Sequence, residues 1–113
     1  MCIRDSCITE RGGKPGYCIP RVFRPTACRL FRNNGNGTFT DVSRQTGISA
    51  RPAKALGAVT TDFNNDGLLD LFVSNDTVEN FLFVRRGGGF EDRALGAMVA
   101  LSESCLLYTS RCV

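Results

Sequence analysis

The sequence predicts an all-β chain built from repeated pairs of antiparallel strands. Three observations lead to this prediction: a segment that occurs twice, two short apolar runs between the copies, and an Asn/Asp/Gly-rich stretch that joins these runs. The composition agrees, since 42% hydrophobic and 22% charged residues are ordinary for a globular chain of 113 residues. A net charge of +3 without His is too weak to indicate nucleic acid or an anionic membrane as a partner. No apolar run approaches the ~20 residues that a membrane helix needs.

An internal repeat indicates the architecture. Residues 30–41 (LFRNNGNGTFTD) align with residues 82–92 (LFVRRGGGFED) when Thr38 is skipped, at an offset of 52 that falls to 51. Each copy has apolar residues, a turn and then Phe-x-Asp, which is a hairpin signature because Gly and Asn accept the positive φ of tight turns. A period near 50 is typical of propellers. We therefore predict a fragment of a β-propeller, with about one and a half blades of antiparallel strands.

Two strands are predicted between the copies, at residues 57–63 (GAVTTDF) and 69–74 (LDLFVS), because both runs are short, rich in β-branched or aromatic residues, and bounded by Gly, Asn and Asp. The apolar residues after the second copy leave a helix and an ordered loop both open. The predicted organisation is a Cys/Pro/Gly-rich loop region over 7–29, the last hairpin of one blade over 30–43, a connecting loop over 44–56, a complete blade over 57–93 and an inter-blade segment over 94–104.

The stretch from Asp62 to Asp70 is predicted to bind a metal ion. Side-chain oxygens occur at its first, third, fifth and ninth positions, and the backbone carbonyl of the seventh residue can join them. An all-oxygen set suits Ca²⁺, whereas Zn²⁺ or copper would call for Cys or His. Carboxylates ~4 Å apart repel by about 4 kcal/mol per pair at an effective dielectric near 20, and a divalent cation removes that penalty. The predicted ligands are Asp62, Asn64, Asp66, Leu68 and Asp70.

Two alternatives compete for the same stretch. One is a metal-free Asn/Asp/Gly turn between two strands, a common use of these residues. The other is an EF-hand or dockerin loop, which would need helices on both sides and a Glu at the twelfth position, where Val73 stands. The metal loop between strands remains the main hypothesis.

Residues 30–42, 62–70 and 72–83 together resemble the FG-GAP/VCBS class of β-propeller repeats, and more closely the cartilage acidic protein-like (ASPIC/UnbV) family found in many bacteria. Residues 17–21 also look like that family's Cys-Gly-Pro stretch, with Ile19 in place of Gly. The sequence departs from the family pattern at two places. Arg85, Arg86 and Gly88 replace the Asn and Asp of the usual hairpin turn, and Cys28 stands where an acidic residue is common.

This resemblance implies an exported propeller that is secreted, periplasmic or at the cell surface, with one Ca²⁺ in each loop-bearing blade and no catalytic residue in the blade. We expect a structural or recognition role, with an unknown protein or carbohydrate ligand and the neighbouring blades of the parent chain as partners. A Ser/His/Asp set is impossible here, since the chain has no His. The alternative function is an accessory propeller of an extracellular enzyme whose catalytic domain lies outside these residues.

Both termini are expected to be foreign to the protein. Residues 1–6 (MCIRDS) can be encoded by ATG TGT ATA AGA GAC AGN, whose reverse complement, shifted in frame, encodes residues 105–110 (CLLYTS). A third frame of the same string encodes residues 111–113 and a stop. Because this resembles a transposon-end adapter of sequencing libraries, residues 1–6 and 105–113 are left out of the fold prediction.

Three cysteines remain once these tails are set aside. A disulfide between Cys7 and Cys18 would close a loop of about 12 residues and contribute roughly 3 kcal/mol in the chain-entropy model. Cys28 is left without a partner in that arrangement.

Overall fold

The computed structural model describes residues 9–11, 14–16 and 23–101, and every regular element in these ranges is a β-strand. The all-β prediction is thereby confirmed. No helix in the described ranges is long and apolar enough to cross a membrane. The strands are β1 (Thr9–Arg11), β2 (Lys14–Gly16), β3 (Thr26–Ala27), β4 (Phe31–Asn33), β5 (Phe39–Asp41), β6 (Pro52–Ala53), β7 (Ala55–Thr61), β8 (Asp70–Asn75), β9 (Phe81–Arg86) and β10 (Gly89–Asp92).

A four-stranded antiparallel sheet in the order β10-β9-β8-β7 forms the centre of the molecule. Its strands follow one another along the chain, so each pair is joined by a hairpin connection. β7 begins at Ala55, two residues before the predicted start, and a register shift follows between Ala55 and Gly57. This sheet has the strand arrangement of one propeller blade.

The internal repeat corresponds to two hairpins of the same kind. β4 pairs with β5, and β9 pairs with β10, both antiparallel. The turn of the first has positive φ at Gly35 and Gly37, and the turn of the second has positive φ at Gly87 and Gly88. The expectation that these glycines permit the left-handed backbone of the turns is confirmed.

The equivalence continues beyond the predicted repeat, into what we name the first turn segment (residues 42–50) and the second turn segment (residues 93–101). In the first, the Thr46 amide donates to the Val42 carbonyl at 3.0 Å; in the second, the Ala97 amide donates to the Arg93 carbonyl at 2.9 Å. A left-handed residue follows this hydrogen bond in each segment, Gly47 in the first and Met98 in the second. The question of helix or loop after residue 93 is thus answered, up to residue 101, by turns without a helix.

A two-stranded pairing that the sequence did not indicate joins β3 to β6. Thr26 lies opposite Ala53, and Ala27 lies opposite Pro52, so the regions predicted as loops over 7–29 and 44–56 contain short strands. Strands of two residues are too short for a period-2 pattern, and Pro within a run argues against a strand. The pairing depends instead on tertiary contact between distant segments.

Hydrophobic clusters cover both faces of the central sheet. Along β9, alternate side chains point to opposite faces, as a strand requires. Phe81 and Phe83 pack on one face with Ile48 of the first turn segment. Leu82 packs on the other face with Ala94 of the second turn segment. Each turn segment therefore supplies the cover for one face of the blade.

Candidate functional site

The acidic loop lies between two strands at one end of the central sheet. β7 ends at Thr61, β8 begins at Asp70, and these two residues are opposite each other in the antiparallel register. An EF-hand or dockerin site requires helices on both sides of its loop. The flanking strands rule out that alternative.

The loop backbone is closed by hydrogen bonds from its own amides. Asp62 Oδ1 accepts from the Asp66 amide at 3.1 Å, and Asp62 Oδ2 accepts from the Gly67 amide at 2.8 Å. Asp66 Oδ1 accepts from the Leu68 amide at 2.8 Å. Asn65 and Gly67 have left-handed backbones, with φ of 60° and 82°, which Gly and Asn adopt at low cost.

Asn64 is tied to the same carboxylate. Its Nδ2 donates to Asp66 Oδ2 at 2.7 Å, and its Oδ1 accepts from the Asp66 amide at 3.2 Å. The Asn64 and Asp66 side chains are exposed, whereas Asp62 is half-buried. The outer part of the loop therefore presents its oxygens close to solvent.

Asp70, the ninth residue of the loop, is fully buried. Its Oδ2 accepts from the Phe63 amide at 2.9 Å, and its Oδ1 accepts from the Arg85 amide at 2.8 Å. One carboxylate thus joins the start of the loop, the first residue of β8 and the end of β9. Sequence reasoning assigned Asp70 only as a metal donor, because nothing local indicates a contact with an amide fifteen residues away.

The structure places all five predicted ligands on one loop without gathering their carboxylates around one centre. Across the described parts of the chain, no group of three or more His, Cys, Asp or Glu side chains is placed to hold one metal ion. The chemistry of the donor set nevertheless suits a hard cation, because a carboxylate oxygen that accepts one N–H keeps a further lone pair. Metal binding by Asp62, Asn64, Asp66, Leu68 and Asp70 stays a prediction.

The remaining predicted features lie mostly outside the described residues. Cys7, Cys18, the stretch 17–21 and the two expected adapter-derived tails belong to this group. Cys28 is a half-buried free thiol, and its burial raises its pKa above the ordinary value.

Arg51 is the charged residue that sequence reasoning missed. It follows the first turn segment, and its guanidinium forms ion pairs with Glu79 and with Asp92, the latter at 3.3 Å. The guanidinium carbon lies 5.2 Å from the centre of the Phe81 ring, within cation–π range. Because both acidic partners are far along the chain, no spacing in the sequence indicates this contact.

The comparisons with known proteins agree with this architecture. Residues 22–73 match the family model described as an FG-GAP-like repeat. The chain is 36% identical over 56 residues to cartilage acidic protein 1 of Xenopus tropicalis, which is 50% of the chain and 9% of that protein. It is 39% identical over 46 residues to cartilage acidic protein 1 of Mus musculus, which is 41% of the chain and 7% of that protein. The aligned part thus spans less than a tenth of the length of these relatives.

Proposed function

We propose that this chain is a calcium-binding repeat segment of an exported β-propeller protein, and the match of residues 22–73 to the FG-GAP-like repeat model supports the repeat part of this proposal. One observation carries the proposal. The loop that joins β7 to β8 offers only oxygen atoms as ligands, and its ninth residue, Asp70, is buried and also accepts a hydrogen bond from the Arg85 amide of β9. An ion on this loop would act on several strands of the blade at once.

Five residues would hold the ion. Asp62, Asn64, Asp66 and Asp70 offer side-chain oxygens, and Leu68 offers its backbone carbonyl. The bound Ca²⁺ would supply positive charge that offsets the repulsion among the carboxylates. Each loop oxygen that accepts a hydrogen bond from a loop amide keeps a further lone pair for the ion, so these bonds and a bound ion can coexist.

Calorimetric titration of the full chain with CaCl₂ tests the metal site. We expect one binding event per chain, and at least tenfold weaker binding in Asp66→Ala, because that change removes one charged donor from the exposed part of the loop. The matched control is Glu91→Ala, which removes an exposed carboxylate from β10 and leaves the loop intact. Equal affinity in Asp66→Ala and the unmodified chain, or no heat of binding in the unmodified chain, would contradict the proposal.

The proposed role of the segment is structural support for recognition of a protein or carbohydrate, and the repeat itself is non-catalytic. Support for export comes from the resemblance to the cartilage acidic protein-like family, together with the two relatives of that name.

Binding of the full chain to immobilised glycans and extracellular-matrix proteins, with and without Ca²⁺, would identify the ligand class. Equal affinity for the ligand in Ca²⁺ and in chelator would show that recognition does not depend on the metal.

A further inference from the structure

The turn between β4 and β5 contains two Asn-Gly pairs in succession, Asn34-Gly35 and Asn36-Gly37. Asn followed by Gly is prone to deamidation, because the Gly backbone nitrogen has no neighbouring side chain to shield it and can attack the side-chain carbonyl carbon of the Asn. By sequence alone the two pairs have the same chemistry. The hydrogen bonds of the turn make them different.

The tip of this hairpin is exposed for a reason that does not depend on a neighbouring repeat. All residues from 33 to 38 are exposed. In the second hairpin, Phe83 is buried beneath the first turn segment, yet Gly87 and Gly88 at the equivalent tip are exposed. A neighbouring repeat thus covers a face of the hairpin and leaves its tip open to water.

At Asn36 the side-chain carbonyl is polarised while the other reacting groups are unbound. Its Oδ1 accepts hydrogen bonds from the Thr38 amide at 3.1 Å and from the Thr38 hydroxyl. Within the described residues, neither Asn36 Nδ2 nor the Gly37 amide has a hydrogen-bond partner. The leaving nitrogen and the attacking nitrogen can therefore react without first breaking a bond.

At Asn34 the same groups are held in place. Its Nδ2 donates to Thr38 Oγ1 at 2.9 Å and to Thr40 Oγ1 at 3.0 Å, and its Oδ1 lies 3.1 Å from the Thr40 hydroxyl, which can donate to it. The Gly35 amide donates to Asn33 Oδ1 at 2.8 Å. Attack at Asn34 would have to break these hydrogen bonds first.

We propose that Asn36 is a site of spontaneous deamidation, with water as the co-substrate, and that the fold protects Asn34. The Gly37 nitrogen bonds to Asn36 Cγ and gives its proton to solvent. The Cγ–Nδ2 bond then breaks, and Nδ2 takes a proton from solvent and leaves as ammonia. Water opens the resulting succinimide at either carbonyl, which gives aspartate or isoaspartate at position 36 without oxidation or reduction.

Thr38 promotes this reaction through the charge that develops on Oδ1. When the Gly37 nitrogen adds to Cγ, the Asn36 Oδ1 becomes an oxyanion, and both Thr38 donors already point at that atom. The Thr38 hydroxyl also accepts from Asn34 Nδ2, so the same group activates one Asn and restrains the other. This inference is independent of the metal loop.

Peptide mapping by mass spectrometry, after incubation of the full chain at mildly alkaline pH, tests the proposal. We expect deamidation at Asn34 to be slower than at Asn36 by about tenfold or more, because its hydrogen bonds have to break first. In concentrated urea the two sites should react at similar rates, since the turn is then lost. Equal rates in the absence of urea, or faster reaction at Asn34, would overturn the proposal.

Two variants test the role of the hydroxyl groups. Thr38→Val keeps the shape of the side chain and removes the hydroxyl, so deamidation should become slower at Asn36 and faster at Asn34. Thr40→Val is the matched control, because it releases Asn34 and leaves the contacts of Asn36 unchanged. An unaltered rate at Asn36 in Thr38→Val would overturn the assignment of Thr38 as the activating group.

Discussion

At the scale of single residues, Asp70 has a function that is independent of any metal. Its two oxygens satisfy amides of the loop and of β9 that would otherwise lose their partners at the edge of the core. Asp66, by contrast, caps the Leu68 amide at an exposed position, where water can take its place. Two acidic residues of one motif therefore differ in what they contribute to stability.

We expect Asp70→Ala to lower the free energy of unfolding by roughly 1–3 kcal/mol for each of the two amides left without an acceptor. Asp66→Ala should cost well under that amount when Ca²⁺ is chelated. Urea denaturation followed by circular dichroism measures both. Equal losses in the two variants would show that Asp70 is not the main link between the loop and β9.

At the scale of elements, the two hairpins are closed by related but different hydrogen bonds. In the second, Asp92 Oδ1 accepts directly from the Leu82 amide at 3.2 Å and from the Ala94 amide at 3.1 Å. In the first, Asp41 accepts from the amide and hydroxyl of Ser43, and the Ser43 hydroxyl oxygen accepts from the Leu30 amide at 2.8 Å. Ser43 therefore mediates a contact that Asp92 makes alone.

These bonds lead to a pH dependence of the first hairpin. The Ser43 hydroxyl, then the Ser43 amide, and to a smaller extent Arg29 hold the pKa of Asp41 below its ordinary value. A carboxyl whose pKa is lower in the folded state stabilises the fold above its unfolded-state pKa, and this contribution is lost as the pH falls through the folded-state pKa. We expect the protection factors of the Leu30 and Ser43 amides, which correct for the intrinsic pH dependence of exchange, to fall in acid, as measured by NMR. An Asp41→Asn chain should lack this acid-dependent change, and a normal Asp41 pKa would contradict the argument.

At the scale of the whole molecule, the interface between the first turn segment and the second hairpin combines one buried apolar side chain with one exposed cation. Ile48 fills the space between the first turn segment and β9, while Arg51 links the same segment to Glu79 and Asp92 at the surface. Its side chain is 53% exposed, so solvent weakens both ion pairs. The apolar contact of Ile48 should therefore stabilise the interface between the two repeats more than the ion pairs of Arg51 do.

We expect Ile48→Ala to destabilise the chain by about 2–5 kcal/mol, since it leaves a cavity in the core. Arg51→Met, which keeps the apolar stem and removes the charge, should cost about 1 kcal/mol or less, and this loss should shrink in high salt. Urea denaturation at two salt concentrations measures both changes. If Arg51→Met lost more free energy of unfolding than Ile48→Ala, the ion pairs rather than the apolar contact would be the main stabilising interaction between the repeats.

The sequence by itself determined the strand class, the two hairpins and the position of the acidic loop. These features depend on local chemistry: a short apolar run at β9, positive φ at Gly35 or Gly88, and an Asn/Asp/Gly run between two apolar segments. Only the tertiary structure decided that β3 pairs with β6, that Asp70 holds β9 and that Arg51 reaches Glu79. Each of these contacts joins residues far apart along the chain, so its energy depends on how the repeats pack and leaves no local pattern in the sequence.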